Sequence, residues 1–295
     1  MRNVFRKGLA AIAVCLAVIC PAATMADMAR DYLSTPVGSW YPAYYLTYSE
    51  SKSPSDGGKT DATTSLFRIT RVIDVFGRTG GLNFLVPYEQ VNFSNDRGIN
   101  LDKSGVGDPK FVFDANIFGA PALNKEEFKS YTPQTYSSFH LTITAPLGDY
   151  NKDNPINIGS NRWSTSPEVN YSYTPDVGKT WLEFYVKPTF FSDNSEYAGN
   201  KKLCQDPQLS LEGHASHNIL DWLWFAFDIF YNYGGETSVD SAWQNNRDST
   251  VSGGFTANFT PWRGGKILLN YKDAISAPAG VSRNNAVTLY IGWLF

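Results

Sequence analysis

The chain has 295 residues, with 25 Lys and Arg against 28 Asp and Glu, a formal net charge of −3 that argues against a nucleic-acid binder, whose footprint is basic. At 42% hydrophobic and 18% charged it is not a disordered polyelectrolyte, and a mean hydropathy of −0.29 excludes a bundle of membrane-spanning helices. The unusual figure is 15% aromatic residues, from 19 Phe, 17 Tyr and 8 Trp beside 24 Gly, a mixture that suits pleated strands and interfacial belts.

The first element is an apolar run over residues 1–26 that opens with Arg2, Arg6 and Lys7 and ends in Thr24-Met25-Ala26, the pattern of a secretory signal peptide. Its removal leaves residues 27–295 as a single domain with 22 basic and 28 acidic residues, a balance of −6. Cys15 and Cys20 leave with it, so Cys204 is alone and an internal disulfide is impossible. Ile19 stands where a lipoprotein signal needs a small residue, which argues against lipidation at Cys20.

From there the chain alternates apolar and polar residues in segments of the length a tilted membrane strand needs. Twelve are predicted: 38–49, 63–76, 81–93, 107–118, 136–147, 163–173, 180–192, 206–217, 221–233, 248–259, 265–275 and 286–295. The last is the clearest, with Val287, Leu289, Ile291, Trp293 and Phe295 on one face. A soluble β-sandwich with the same alternation is the competing architecture. The aromatic load, the strand length and the terminal aromatic row favour an up-and-down antiparallel transmembrane β-barrel in the outer membrane of a Gram-negative bacterium, with Phe295 as its assembly signal. Short turns such as 77–80 and 261–264 alternate with long polar segments such as 149–162 and 234–247, as periplasmic turns alternate with outer loops. Residues 119–135 break that rule and are read as a periplasmic helix or a miscounted strand.

Two stretches then resemble a known family. Gly105-Val106-Gly107-Asp108-Pro109 opens a strand, and Pro146-Leu147-Gly148-Asp149-Tyr150 closes one, followed by Gly159-Ser160-Asn161-Arg162-Trp163 at the next strand start. In this order the motifs resemble the outer-membrane transporter family linked to the meta-pathway of phenol degradation, and the resemblance implies import of phenol-like or other hydrophobic compounds. Asn161 departs from the glycine of that last motif. The residues themselves read as rim elements: glycines for positive φ, Asp108 and Asp149 as acceptors of backbone N–H groups, and Arg162 with Trp163 at the outer interface.

Strand parity assigns the lumen. Arg68, Glu89, Lys110 and Asp114 face inward from the first half of the barrel, followed by His140 and Glu168. Glu183, Tyr185 and Lys187 follow, then Glu212, His214 and Asp228, and finally Lys266 and Lys272. Asp74 shares the inner parity, whereas Arg71 does not and implies a bulge. Trp222, Trp224, Phe230 and Tyr290 are inner aromatics able to stack on a flat solute, with inward-folding outer loops as the gate. The lining mixes both signs, unlike the basic wall that acidic oligosaccharides require.

Catalysis is not expected: Ser216-His217-Asn218 sits at a turn where adjacent side chains diverge, and His140 and His214 face the lumen and not the lipid. No motif supports a metal or another cofactor. The sequence thus reads as a channel for passive uptake of small hydrophobic or aromatic compounds. A closed, envelope-structural or surface-binding barrel is the alternative, and a channel for small polar solutes such as nucleosides or sugars the third. The partners implied are outer-membrane lipids, the barrel-assembly machinery and a small-molecule cargo, without nucleic acid.

Overall fold

The computed structural model describes residues 27–53 and 57–295; the signal peptide expected over 1–26 lies outside them. β1 (Trp40–Lys52), β2 (Lys59–Val75) and β3 (Arg78–Ser94) form a meander, and β4 (Asn100–Val106) and β5 (Lys110–Phe118) run end to end along β3. β6 (Tyr136–Thr144), β7 (Ser164–Tyr173) and β8 (Thr180–Phe191) continue the wall, followed by the short β9 (Asn194–Tyr197) and β10 (Lys201–Gln205). β11 (Gln208–Leu220) and β12 (Leu223–Gly234) return to the wall, and β13 (Thr237–Val239) and β14 (Ala242–Trp243) are again short. β15 (Asp248–Phe259), β16 (Gly265–Ser276) and β17 (Arg283–Trp293) complete it.

Every wall pairing is antiparallel, and β17 pairs with β1 from Gly292↔Ala43 to Arg283↔Lys52. The sheet therefore closes on itself, and with β4 and β5 counted as one stave the barrel has twelve strands. Closure follows from the solvent: hydrocarbon offers no partner to an unpaired backbone N–H or C=O, so an open edge is not tolerated. Phe295 N donates to Trp40 O at 2.9 Å across the seam, and the Phe295 ring stacks on Trp293 with centroids 5.0 Å apart.

Alternation along each strand sorts the residues by face. Phe67, Phe84, Phe111, Phe184, Phe227 and Phe255 are exposed on the outer wall, as lipid contact requires. Trp40, Trp222, Trp262 and Trp293 mark the rim of the short turns. Two parity readings are corrected here. Trp222 is half exposed and edge-on to Phe259, because it lies in the β11–β12 turn and not in a strand. The β2–β3 register is unbroken from Lys59 to Val75, so no bulge accompanies Arg71; it faces outward, its guanidinium 5.1 Å from the Trp40 ring centroid. Asp74 keeps its inner parity at the end of β2, paired with Thr79, and accepts from Gly77 N of the following turn at 2.6 Å.

Residues 119–135 form a connection on the short-turn side with one 3-10 turn at Glu127–Ser130, so no strand was miscounted. Ala120 and Tyr136 pack there with Trp181. On the opposite side β9, β10, β13 and β14 make a second, four-stranded sheet around Tyr197, Leu203 and Val239. The 145–163 loop turns into the mouth: Ile156 packs on Phe93, and Ile158 on Ala62 and Val91.

The motif glycines sit where this loop meets the wall. Gly105, Gly107, Gly148 and Gly159 do not have positive φ, so the reason read for them from the sequence does not hold; Asn161, at φ 52, has it instead. Their role is close approach. A Cβ on Gly148 would lie 2.7 Å from Gly107 C, and one on Gly159 would lie 2.8 Å from Gly148 C and O. Asp108 fastens the same stack, accepting from Gly148 N at 2.9 Å and Ser160 N at 2.8 Å, and Asp149 Oδ2 accepts from Val106 N at 2.8 Å. Pro109 has no N–H to donate to the ladder, and the wall breaks there between β4 and β5.

Two outcomes are expected. Gly159→Ala forces backbone against backbone and should lower the free energy of unfolding by about 1–3 kcal/mol in denaturant titration of the detergent-solubilised protein. At the β7–β8 turn, Asp176 accepts from Thr180 N and Oγ1, each at 2.6 Å, which holds its carboxyl below the ordinary carboxylate range. This contribution is complete above the unfolded carboxylate pKa and disappears as pH falls through the lowered folded value. The protection factor of the Thr180 amide, its exchange relative to the intrinsic rate at the same pH, should therefore fall on acidification in the wild type but not in Asp176→Asn.

Candidate functional site

The lumen is not empty. Residues 27–36 precede β1 and fold back into the barrel from the short-turn end, with Asp31 N donating to Met28 O at 3.1 Å in a tight turn. Met28 and Ala29 are buried against Tyr45, Leu66, Trp224 and Tyr290 of the inner wall. A segment this short has little apolar surface of its own, and polar contacts with β2, β8, β11 and β16 fix its place.

Arg30 is the densest contact. Its backbone N donates to Glu183 Oε2 at 2.8 Å, Nε to Ser216 Oγ at 2.8 Å and Nη1 to Asn218 Oδ1 at 2.6 Å. Its guanidinium also lies 4.7 Å from the Trp224 ring centroid, and Lys266 Nζ reaches its carbonyl at 3.4 Å. Ser216 and Asn218 thus bind the segment, whereas His217 between them faces out to Thr180. That divergence is what strand geometry imposes on neighbours.

Asp31 pairs with Arg68 at 3.2 Å, and Arg68 Nε donates to Asn83 Oδ1 at 2.9 Å. Asp27 is held by Lys187, whose Nζ lies 2.6 Å from Asp27, 3.1 Å from Glu168 and 3.5 Å from Glu212. Tyr32 stacks on His140 at 3.5 Å between ring centroids, beside Tyr185, and its hydroxyl donates to Asp27 Oδ1 at 2.8 Å.

All fourteen lumen residues assigned by parity lie on the inner face, grouped by their partners. His140 and His214 each pair through Nδ1 with a carboxylate, Asp114 at 2.8 Å and Asp228 at 2.7 Å. Asp228 also accepts from Thr256 Oγ1 at 2.6 Å. Lys272 lies 3.9 Å from the Phe230 ring centroid, and Glu89 and Lys110 face the outer part of the lumen near Gly107. Ser138 Oγ is 2.9 Å from His140 Nε2, so Ser138, His140 and Asp114 are connected as in a hydrolase triad. Ser138 is buried, bonded also to Asn170, and the Tyr32 ring covers its histidine, an arrangement that stiffens the wall under the inserted segment. Among the described residues no group of three or more His, Cys, Asp and Glu could hold a metal ion.

Two cavities flank the segment. One of about 270 Å3 opens toward the short turns, with Tyr41, Tyr290, Val72 and Leu33 in its lining. The other, of about 330 Å3, opens toward the outer loops past Leu66, Phe230 and Glu89. Arg162 lines this outer cavity and lies 4.7 Å from the Phe191 ring centroid, donating to Gln205. Its expected place at the lipid interface is corrected, because alternation sends Trp163 outward and Arg162 inward.

The inserted segment and the barrier it makes were missed by sequence reasoning, since ten residues of mixed charge without periodicity read as a linker. The available signal was Asp27, Arg30 and Asp31 interleaved with Met28, Tyr32 and Leu33 ahead of a barrel whose inner face carries both signs. Because Asp228 is fully enclosed and bonded to His214, Asp228→Asn should cost roughly 3–5 kcal/mol of stability in reversible unfolding, as removal of one partner of a buried pair does.

The family described as "Putative MetA-pathway of phenol degradation" matches residues 46–281. An outer membrane channel from Pseudomonas putida F1 superposes with a TM-score of 0.79 at 22% identity, over 92% of this chain and 100% of that one. The β domain of the Bordetella autotransporter Brka gives 0.56 at 9% identity over 87% and 99% of the two chains. The transport unit of the autotransporter AIDA-I from Escherichia coli gives 0.54 at 10% over 96% of each. At these identities the likeness is one of fold. No curated protein matches the chain. With its matched span covering most of the barrel, the chain is an outer-membrane β-barrel and belongs to the MetA-pathway of phenol degradation family.

Proposed function

We propose that the protein is a passive channel for small hydrophobic or aromatic compounds, closed at rest by its own residues 27–33. The observation that carries this reading is the division of one lumen into two cavities by a segment held without covalent bonds. Each cavity is near the lower size of small-molecule sites; the inner one sets Tyr32, Tyr41 and Tyr290 among polar and charged groups, and the outer one places Leu66 and Phe230 in a mainly polar lining. Tyr41 and Tyr290 on one side and Phe230 on the other offer faces on which a flat ring can stack. The family's description supports an aromatic cargo. The balanced charges of the wall are engaged with one another and with the segment, so they do not form the single-sign field that draws ionic solutes.

Lipid would surround the apolar wall, and a compound entering from the outer loops would wait in the outer cavity until the segment moves. The same occupancy favours a second reading, a permanently closed barrel of structural role.

Single-channel recording in planar bilayers separates the two. A protein lacking residues 27–34 is expected to conduct severalfold more than the complete mature chain, and phenol added to either side should reduce the open current. A truncated barrel that conducts without responding to phenol would move the cargo to polar solutes. Silence from both forms, with insertion verified by protease protection, would establish the closed barrel.

A further inference from the structure

The innermost point of the inserted segment is its first described residue. Asp27 N donates to Glu212 Oε2 at 2.9 Å, in a cluster where three carboxylates, those of Asp27, Glu168 and Glu212, meet the one ammonium of Lys187. Glu212 and Glu168 are each only 4% exposed. A second, independent feature points the same way: Glu168 Oε1 is buried and has no hydrogen-bond partner. Lys187 reaches the other oxygen, Oε2, at 3.1 Å, so Oε1 alone lacks a donor, and three carboxylates beside one ammonium leave room for a second cation. Among the other charged or titratable neighbours, Tyr32 donates its hydroxyl to Asp27 Oδ1 and not to either glutamate. His214 Nε2 stands 3.9 Å from Glu212, and Lys272 is placed over the Phe230 ring.

We infer that this cluster is a binding site for the protein's own α-ammonium group, created when the leader is removed between Ala26 and Asp27. Hydrolysis of that peptide bond consumes one water, releases the carboxylate of Ala26 and leaves an amine on Asp27. With an ordinary α-amino pKa of about 7.7–8.0 that amine is largely protonated at neutral pH. Where an amide supplies one N–H to Glu212, an ammonium supplies three and a full positive charge, enough to hold Glu212 and to offer a donor to the unpaired face of Glu168. Processing thereby changes the cluster from three carboxylates against one ammonium to three against two. The segment is seated by its end as well as by Arg30 and Asp31, and the plugged barrel is a product of maturation.

The proposal fixes one position for the charge, which makes it testable without any transport assay. The mature protein is purified from outer membranes, its N-terminal residue determined, and its α-amine labelled at neutral pH with 2-pyridinecarboxaldehyde, folded and denatured, with mass-spectrometric readout. Asp27 is expected as the first residue, with labelling of the folded form at least about tenfold slower than of the denatured form, as for a group that reacts only on local opening. Glu212→Gln should restore fast labelling. A second variant leaves the lumen untouched: one Gly inserted between Ala26 and Asp27 keeps the Asp27 amide but moves the ammonium by about one residue, roughly 3.8 Å. It should label near the denatured rate and unfold at lower temperature than the wild type. A first residue other than Asp27, equal labelling of folded and denatured protein, or a Gly-inserted form as stable and as protected as the wild type would each overturn the proposal. A channel that fails to pass aromatic compounds would leave these results unchanged.

Discussion

Everything in this structure depends on the absence of hydrogen-bonding solvent in the hydrocarbon layer. A backbone N–H or C=O that meets lipid must find its partner in the protein, so the strands close into a ring and the ring fixes which face of each strand is in and which is out. The apolar outer wall, the aromatic rims and the polar inner face are consequences of that one requirement applied to a chain with period-2 alternation. Closure of β17 on β1 is the step that completes it.

The same requirement acts inward. A twelve-stranded barrel is too wide for its own side chains to fill and too narrow to be a wide aqueous pore. Polar and charged groups on its inner face are therefore left partly dry, and each needs a partner. Here many of those partners come from one short segment. Arg30 serves Glu183, Ser216 and Asn218, Asp31 serves Arg68, and Asp27 serves Lys187. Such pairs contribute less to net stability than their geometry implies, because both members lost water to form them. What they give is a single seat for the segment. A plug held by exchangeable polar contacts, with cavities on both sides, is suited to a resting barrier in a way that a continuous apolar core is not.

The outer end is built on a different principle. Gly107, Gly148 and Gly159 let three stretches of backbone come within van der Waals distance, and Asp108 ties them by accepting from two of those stretches. The loop 145–163 is thereby fixed against the wall and drops Ile156 and Ile158 into the mouth. The motif is a brace at the rim, and Asn161 follows it in the left-handed region that asparagine tolerates better than most residues.

The sequence by itself determined the strand count, the closure and the facing of the wall residues, because these follow from alternation, which is a property of neighbours along the chain. Glu183, Tyr185 and Lys187 could be placed inside, and Leu182 and Phe184 outside, from parity alone. Parity ended where strands ended, which is why Trp222 was misplaced, and it carried no information about positive φ or close backbone approach at the motif glycines. Only the tertiary structure decided which inner charges meet. Arg68 of β2 and Lys187 of β8, set on one lumen by the ring, meet Asp31 and Asp27 of the same inserted segment. The segment that joins them has no periodicity of its own, since its conformation is set by the wall around it and not by its neighbours in sequence.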